Sequence, residues 1–141
     1  MIKAYGNFTW EVLINTIEDS PFFTSDYPVA VEKTDNNQIL NRIVPLTPSL
    51  AIRFCPNFEH GHNQPDFSFP GFRHVIRHLT RQEVMHINRL IVSCAETTVY
   101  FCNNNEWIPE FVKKYAEFRI ELRSMKKGEL YWSTYEVERI S

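Results

Sequence analysis

The chain of 141 residues carries 15 basic and 17 acidic side chains spread along its length, a formal net charge of −2, so no concentrated field argues for nucleic acid or an anionic membrane surface. Hydrophobic residues make up 43% and aromatic residues 14%, with 11 Phe, 6 Tyr and 3 Trp, enough for a single domain over residues 1–141 whose core is built largely from rings. No stretch approaches the roughly 20 apolar residues of a membrane span, the first residues show no secretory pattern, and the three cysteines lack close pairing or metal-ligand spacing; reduced thiols and a cytoplasmic location are expected.

Over residues 8–17, Phe8, Trp10, Val12 and Ile14 alternate with Thr9, Glu11, Leu13 and Asn15, which predicts a strand with its strongly buried face on the Phe8 side. Glu18, Asp19, Ser20 and Pro21 make a turn, because proline cannot continue a ladder and Asp and Ser bond locally to the backbone. A polar corner follows, in which Thr24, Ser25, Asp26 and Tyr27 each offer a directed hydrogen bond and Pro28 fixes the outgoing backbone. Residues 29–31 resume a β-rich pattern, and the polar loop over 33–38 predicts a hairpin to residues 39–46. The segment Pro45, Leu46, Thr47, Pro48 interrupts that strand before residues 49–55, where Leu50, Ile52 and Phe54 alternate with Ala51, Arg53 and Cys55 in a bent or edge strand.

Residues 56–71, with Pro56, Pro65 and Pro70, form the longest irregular stretch, the kind of loop that often carries function. Thr80 and Glu83 have capping-box spacing, and Val84, Ile87, Ile91, Cys94 and Ala95 then mark the buried stripe of a helix over 81–96, with Arg81, His86, Arg89 and Ser93 largely off it. Asn88 falls inside that stripe, an amide turned toward the core that needs partners. Residues 97–102 read as a strand stopped by three asparagines, and Pro109 suits the first turn of a short helix whose apolar side is Ile108, Phe111, Val112 and Tyr115. A charged terminal hairpin closes the chain, with a longer helix through Leu122 as the competing reading.

Three marks stand in order: Phe23-Thr24-Ser25-Asp26 with Pro28 and Val29, then Pro45-Leu46-Thr47-Pro48, then Ile87-Asn88-Arg89-Leu90 ahead of Ala95, Val99 and Tyr100. Together they resemble a bacterial domain-of-unknown-function family, number 4238, over about residues 10–102. Typical members of that family open with a helical region bearing a His-Tyr-x-Pro-like motif that is absent here, so the resemblance implies correspondence to the family's C-terminal part. It implies positions and no reaction.

The candidate chemistry lies in three places. Ser25 and Asp26 are the catalytic candidates, as nucleophile or substrate contact and as general base or metal-facing carboxylate, with Thr24 and Asn88 as binding residues beside them. The competing role for the same groups is architectural: Asp26 accepts backbone amides and Asn88 ties the helix to the corner. His74 and His78, four apart, would face one metal such as zinc if their segment is helical, with His60, His62 and His86 as neighbours in sequence; solvated histidines are the alternative. Arg73 and Arg77, with Arg81 and Arg89, form a basic helix entrance suited to a phosphate or an acidic partner, or else a solvated face with scattered ion pairs. Trp107, Tyr131, Trp132 and Tyr135 are either core or an aromatic surface.

The expected fold is α+β: a mostly antiparallel sheet packed by one main helix, with a short second helix and a C-terminal hairpin. The expected function is a non-catalytic, cytoplasmic recognition or interaction domain that binds a protein or a small anionic ligand through the loop 56–73 and the basic helix entrance. The reading from another class is a small hydrolase or nuclease-like enzyme centred on Asp26, with nearby histidines or a metal. No motif names a cofactor.

Overall fold

A computed structural model describes residues 8–36, 39–56 and 72–140. Strands β1 (Thr9–Ile14), β3 (Ala30–Lys33), β4 (Leu40–Thr47), β5 (Leu50–Cys55) and β6 (Arg73–His78) form one sheet in the order β3-β4-β5-β1-β6. All neighbours are antiparallel except β1 and β6, which run parallel. Helix α1 (Arg81–Cys94) covers one face of this sheet, and α2 (Trp107–Tyr115) packs behind it. The corner itself is a two-residue strand, β2 (Thr24–Ser25), paired antiparallel with β7 (Val99–Tyr100). A separate hairpin, β8 (Phe118–Lys127) with β9 (Leu130–Arg139), ends the chain around Gly128, whose φ of 65° favours a residue without Cβ. The α+β expectation therefore holds, with a mixed sheet.

Helix α1 begins where its capping box places it. Thr80 Oγ1 accepts from the Glu83 amide at 3.4 Å, and the Glu83 carboxylate accepts from the Thr80 amide at 2.8 Å. Its inner stripe, Val84, Ile87, Ile91 and Val92, meets Leu13, Ala30, Ile43 and Ala51 from the sheet and Phe22 and Phe23 from the corner. Ile87 and Leu13 have no exposed surface, and such burial stabilises by about 1.5–3 kcal/mol per large aliphatic side chain. Ile108 brings α2 into the same core, and Phe23 lies stacked 5.9 Å from Trp107 and edge-on 6.0 Å from Phe111.

Three details differ from the sequence reading. On β1 the fully buried residue is Leu13, whereas Trp10, Val12 and Ile14 are half-buried, because the helices lie on the Leu13 side of the sheet. Trp10 instead meets Phe54 at 4.8 Å and Phe72 at 5.2 Å on the opposite face. Ser93 is buried rather than outward. Strand β4 continues through Pro45 to Thr47, with its register against β5 shifting there; β3 ends its pairing at Ile43, so the proline's missing donor breaks no ladder on that side. Most of the long loop over 56–71, including His60 and His62, lies outside the described residues.

The terminal hairpin is the competing helix's replacement, and its alternation explains why. Arg119, Glu121 and Arg123 share one face with Glu136 and Glu138, while Phe118 and Ile120 share the other with Val137. Arg123 pairs with both Glu136 and Glu138, and Arg139 with Glu117. An isolated two-stranded ribbon is marginal in water, so its base is tied down: Arg119 Nη2 donates to the Glu96 carbonyl at 3.1 Å.

Candidate functional site

The corner gathers three of the sequence candidates, Asn88, Ser25 and Asp26, through hydrogen bonds made mostly to backbone groups. Asn88, with no exposed surface, accepts from the Phe23 amide at 2.9 Å and donates to the Pro21 carbonyl at 2.8 Å, binding α1 to the chain entering β2. Ser25 Oγ donates to the Tyr27 carbonyl at 2.6 Å and accepts from the Tyr27 amide at 3.2 Å. Asp26 holds the loop after α1: its Oδ1 accepts from the Glu96 amide at 3.0 Å, and Oδ2 accepts from the Thr97 amide, the Thr97 hydroxyl and the Thr98 amide at 2.8, 2.6 and 3.1 Å. The Asp26 amide closes the ring onto the Thr98 carbonyl at 3.1 Å. The Thr97 hydroxyl and the amides of residues 96–98 hold the Asp26 carboxyl below the ordinary aspartate range, against some desolvation.

Around that polar knot lies an apolar groove. Phe22, Phe23 and Thr24, the Pro45-Leu46-Thr47-Pro48 segment, and Tyr100, Phe101 and Cys102 enclose about 370 Å³, a size within the range of ligand sites. The Phe22 amide fastens one wall to the other by donating to the Pro48 carbonyl at 2.8 Å. None of the ten lining residues carries a charge, and Leu46 and Tyr100 are each more than half exposed. Thr24 is the one sequence candidate that lines it. On the other side of the corner, a cleft of similar size is lined by Tyr27, Val31, Cys94, Glu96, Arg119 and Ile120; burial pushes the Cys94 thiol up, away from a reactive thiolate.

A second cluster went unread in the sequence. On the helix-covered face of the sheet, Arg53 Nη1 donates to Glu11 at 2.7 Å, Nη2 to Glu32 at 3.0 Å, and Nε makes ionic contact with Glu32 at 2.9 Å. Asn41 donates to Glu32 at 2.9 Å, His86 Nε2 approaches Glu32 at 3.3 Å, and Arg77 bridges Glu11 to Glu83 at 3.5 and 2.8 Å. Glu11 and Arg53 stand directly opposed in the β1–β5 register, on the face of β1 opposite the one that alternation points to as inner. Burial pushes the Glu32 carboxyl up; hydrogen bonds from His86 and Asn41 and the Arg53 charge outweigh it, leaving the group below the ordinary value of 4.5. Nearby Cys55 is pushed up to about 11 by burial and the Glu11 charge, so it too stays a thiol.

Both lowered carboxyls set the sign of the acid response. Such groups bind fewer protons folded than unfolded, so their contribution is complete above the ordinary values and drains as pH falls below them through the folded values. Melting temperature should therefore drop progressively below about pH 4.5, as thermal melts across pH will show. Asp26→Asn should start lower at neutral pH and lose less on acidification; an unchanged acid slope would contradict the role given to Asp26.

The remaining candidates are placed apart. His74 and His78 sit on β6, a strand and not a helix, so their four-residue spacing separates them by about 13 Å along the chain and does not bring two imidazoles to one ion. Among the described residues, no three His, Cys, Asp or Glu side chains gather as a metal site. The basic helix entrance is largely neutralised: Arg77 is held by Glu83 and Glu11, Arg81 Nη2 by Asp19 at 2.6 Å, and the helix N-terminus by its own Glu83. Arg89 lies over the Tyr115 ring at 5.4 Å. Trp107 is half-buried beside Phe23, and Tyr131 is exposed on the hairpin. No helix among the described residues is long and apolar enough to cross a membrane.

The family model described as "Protein of unknown function (DUF4238)" matches residues 1–105, wider at both ends than the resemblance read from the motifs, and leaves α2 and the terminal hairpin outside the matched stretch. No curated protein and no solved structure matches the chain.

Proposed function

The chain belongs to the DUF4238 family, and from its own geometry we propose that it is a non-catalytic recognition domain that receives an uncharged, apolar segment of a partner protein in the groove between Phe22, Leu46 and Tyr100. The observation that carries this reading is the convergence of Phe23-Thr24 from the corner, the Pro45-Leu46-Thr47-Pro48 segment and Tyr100 from β7 on one open apolar surface. An uncharged lining selects an uncharged occupant, because a charge brought into it would lose water without gaining a partner. The polar atoms beside the groove support the same conclusion. Asp26 is lowered, the opposite of what a general base poised near neutrality needs, and Ser25 spends its hydroxyl on a backbone carbonyl. Three free thiols, Cys55, Cys94 and Cys102, are in keeping with a reducing cytoplasmic setting.

The test is a photo-crosslinking side chain placed at Leu46 in living cells. The expected result is one discrete protein adduct whose linked peptide is apolar and uncharged, weakened about tenfold or more by Tyr100→Asp. Leu46 and Tyr100 are exposed enough for both changes to leave folding intact. Adducts no more discrete than those from a crosslinker at Tyr131, or unaffected by Tyr100→Asp, would overturn the reading.

A further inference from the structure

The outermost strand of the main sheet, β6, pairs with β1 along one edge, and no described strand lies along its other edge. Sheet edges are ordinarily blunted against strand addition by charge, proline or brevity. Strand β6 is six residues long, contains no proline, and exposes Val75 and Ile76 by 48% and 59% at its middle, one on each face. Its basic side chains stand at the ends: Arg73 and His74 before the apolar pair, Arg77 and His78 after it.

That pattern decides between possible occupants. The strand holds no acidic residue, so every register in which it pairs with a second copy of itself sets like against like or leaves the basic groups unopposed. The antiparallel register centred on Val75 and Ile76, for example, places Arg73 opposite His78 and His74 opposite Arg77, so neither arginine meets an acid. Like charges directly across a strand pair are destabilising, whereas opposite charges there stabilise. Arg77 is already committed to Glu83 and Glu11, but no described acid pairs with Arg73, His74 or His78.

We propose that the outer edge of β6 accepts an extended segment of a partner protein as a sixth strand, with acidic residues flanking a central apolar pair. Main-chain hydrogen bonds supply the affinity, Val75 and Ile76 pack against the apolar pair, and Arg73, His74 and His78 select for acidic flanks. This surface is separate from the apolar groove, and either can stand without the other.

The test uses the full chain and three labelled hexapeptides: Glu-Glu-Val-Ile-Glu-Glu, the same peptide N-methylated on alternate amides, and Lys-Lys-Val-Ile-Lys-Lys. The acidic peptide should bind saturably and slow hydrogen exchange of the β6 amides, with the methylated and basic peptides at least about tenfold weaker. In the double variant Arg73→Glu with His78→Glu, both exposed positions, the preference between acidic and basic peptides should reverse. Binding insensitive to N-methylation, equal binding by an oligonucleotide of matched charge, or concentration-dependent dimerisation that masks the β6 amides would each overturn the proposal.

Discussion

Replacing Asn88 by leucine is expected to lower the unfolding free energy by about 2–6 kcal/mol, because it leaves a buried donor and a buried acceptor without partners at about 1–3 kcal/mol each. The two orphans are the Phe23 amide and the Pro21 carbonyl. Leucine matches asparagine in side-chain heavy atoms and branching but is bulkier, so some overpacking at this fully buried site adds to the loss of hydrogen bonding. Both orphaned groups lie on the backbone entering β2, where Phe22 and Phe23 form one wall of the groove. The same variant should therefore loosen the corner, seen as faster hydrogen exchange at Phe23. Chemical denaturation checks the stability, with an unchanged denaturant slope expected. A loss below about 1 kcal/mol would show that water or a backbone shift replaces the amide.

Arg53→Met should cost about 3–5 kcal/mol at neutral pH, the penalty for leaving buried carboxylates uncompensated. The Arg53, Glu11 and Glu32 side chains are only 11%, 21% and 13% exposed, so water restores little of what the guanidinium supplied. His86 and Arg77 soften the loss, since each still reaches one of the two carboxylates. Two further measurements separate this account from simple loss of packing. The deficit should shrink as pH falls and the stranded carboxyls take up protons, and the triple change Glu11→Leu, Glu32→Leu, Arg53→Met should recover most of the stability. A triple variant no better than Arg53→Met would assign the cluster to packing.

The pair of expectations also bears on function. Asn88 supports the corner that shapes the apolar groove, while the Arg53 cluster braces the middle of the sheet between the hairpin β3–β4 and β1. Neither group opens toward a ligand. They hold the groove and the β6 edge, the two proposed binding surfaces, on rigid elements, which lowers the ordering cost for a segment that docks there.

What could be read from residues alone were the features with a local physical cause. Thr80 and Glu83 announced the start of α1 because a capping box is satisfied within four residues. Asn88 announced its burial because helical periodicity places it between Val84 and Ile91. The terminal hairpin followed from strict alternation of charge and apolar side chains, and the family from three ordered motifs.

The features that needed the tertiary structure depend on which surfaces meet. Alternation along β1 points to Phe8, Trp10, Val12 and Ile14 as the inner face, and the position of α1 turned the Leu13 face inward instead. That same choice turned Glu11 and Arg53 inward and created the ion cluster. Asp26 announced a need for amide partners, yet the partners lie about 70 residues away, at Glu96, Thr97 and Thr98, beyond the reach of any local rule. The spacing of His74 and His78 suits a metal only on a helix, and pairing with β1 made their segment a strand instead. Most of the elements other than β6, the helix cap and the family are legible in the residues, because those rest on neighbours a few bonds away. The groove, the ion cluster and the accessible edge of β6 were decided by long-range packing, because each exists only where segments distant along the chain are brought side by side.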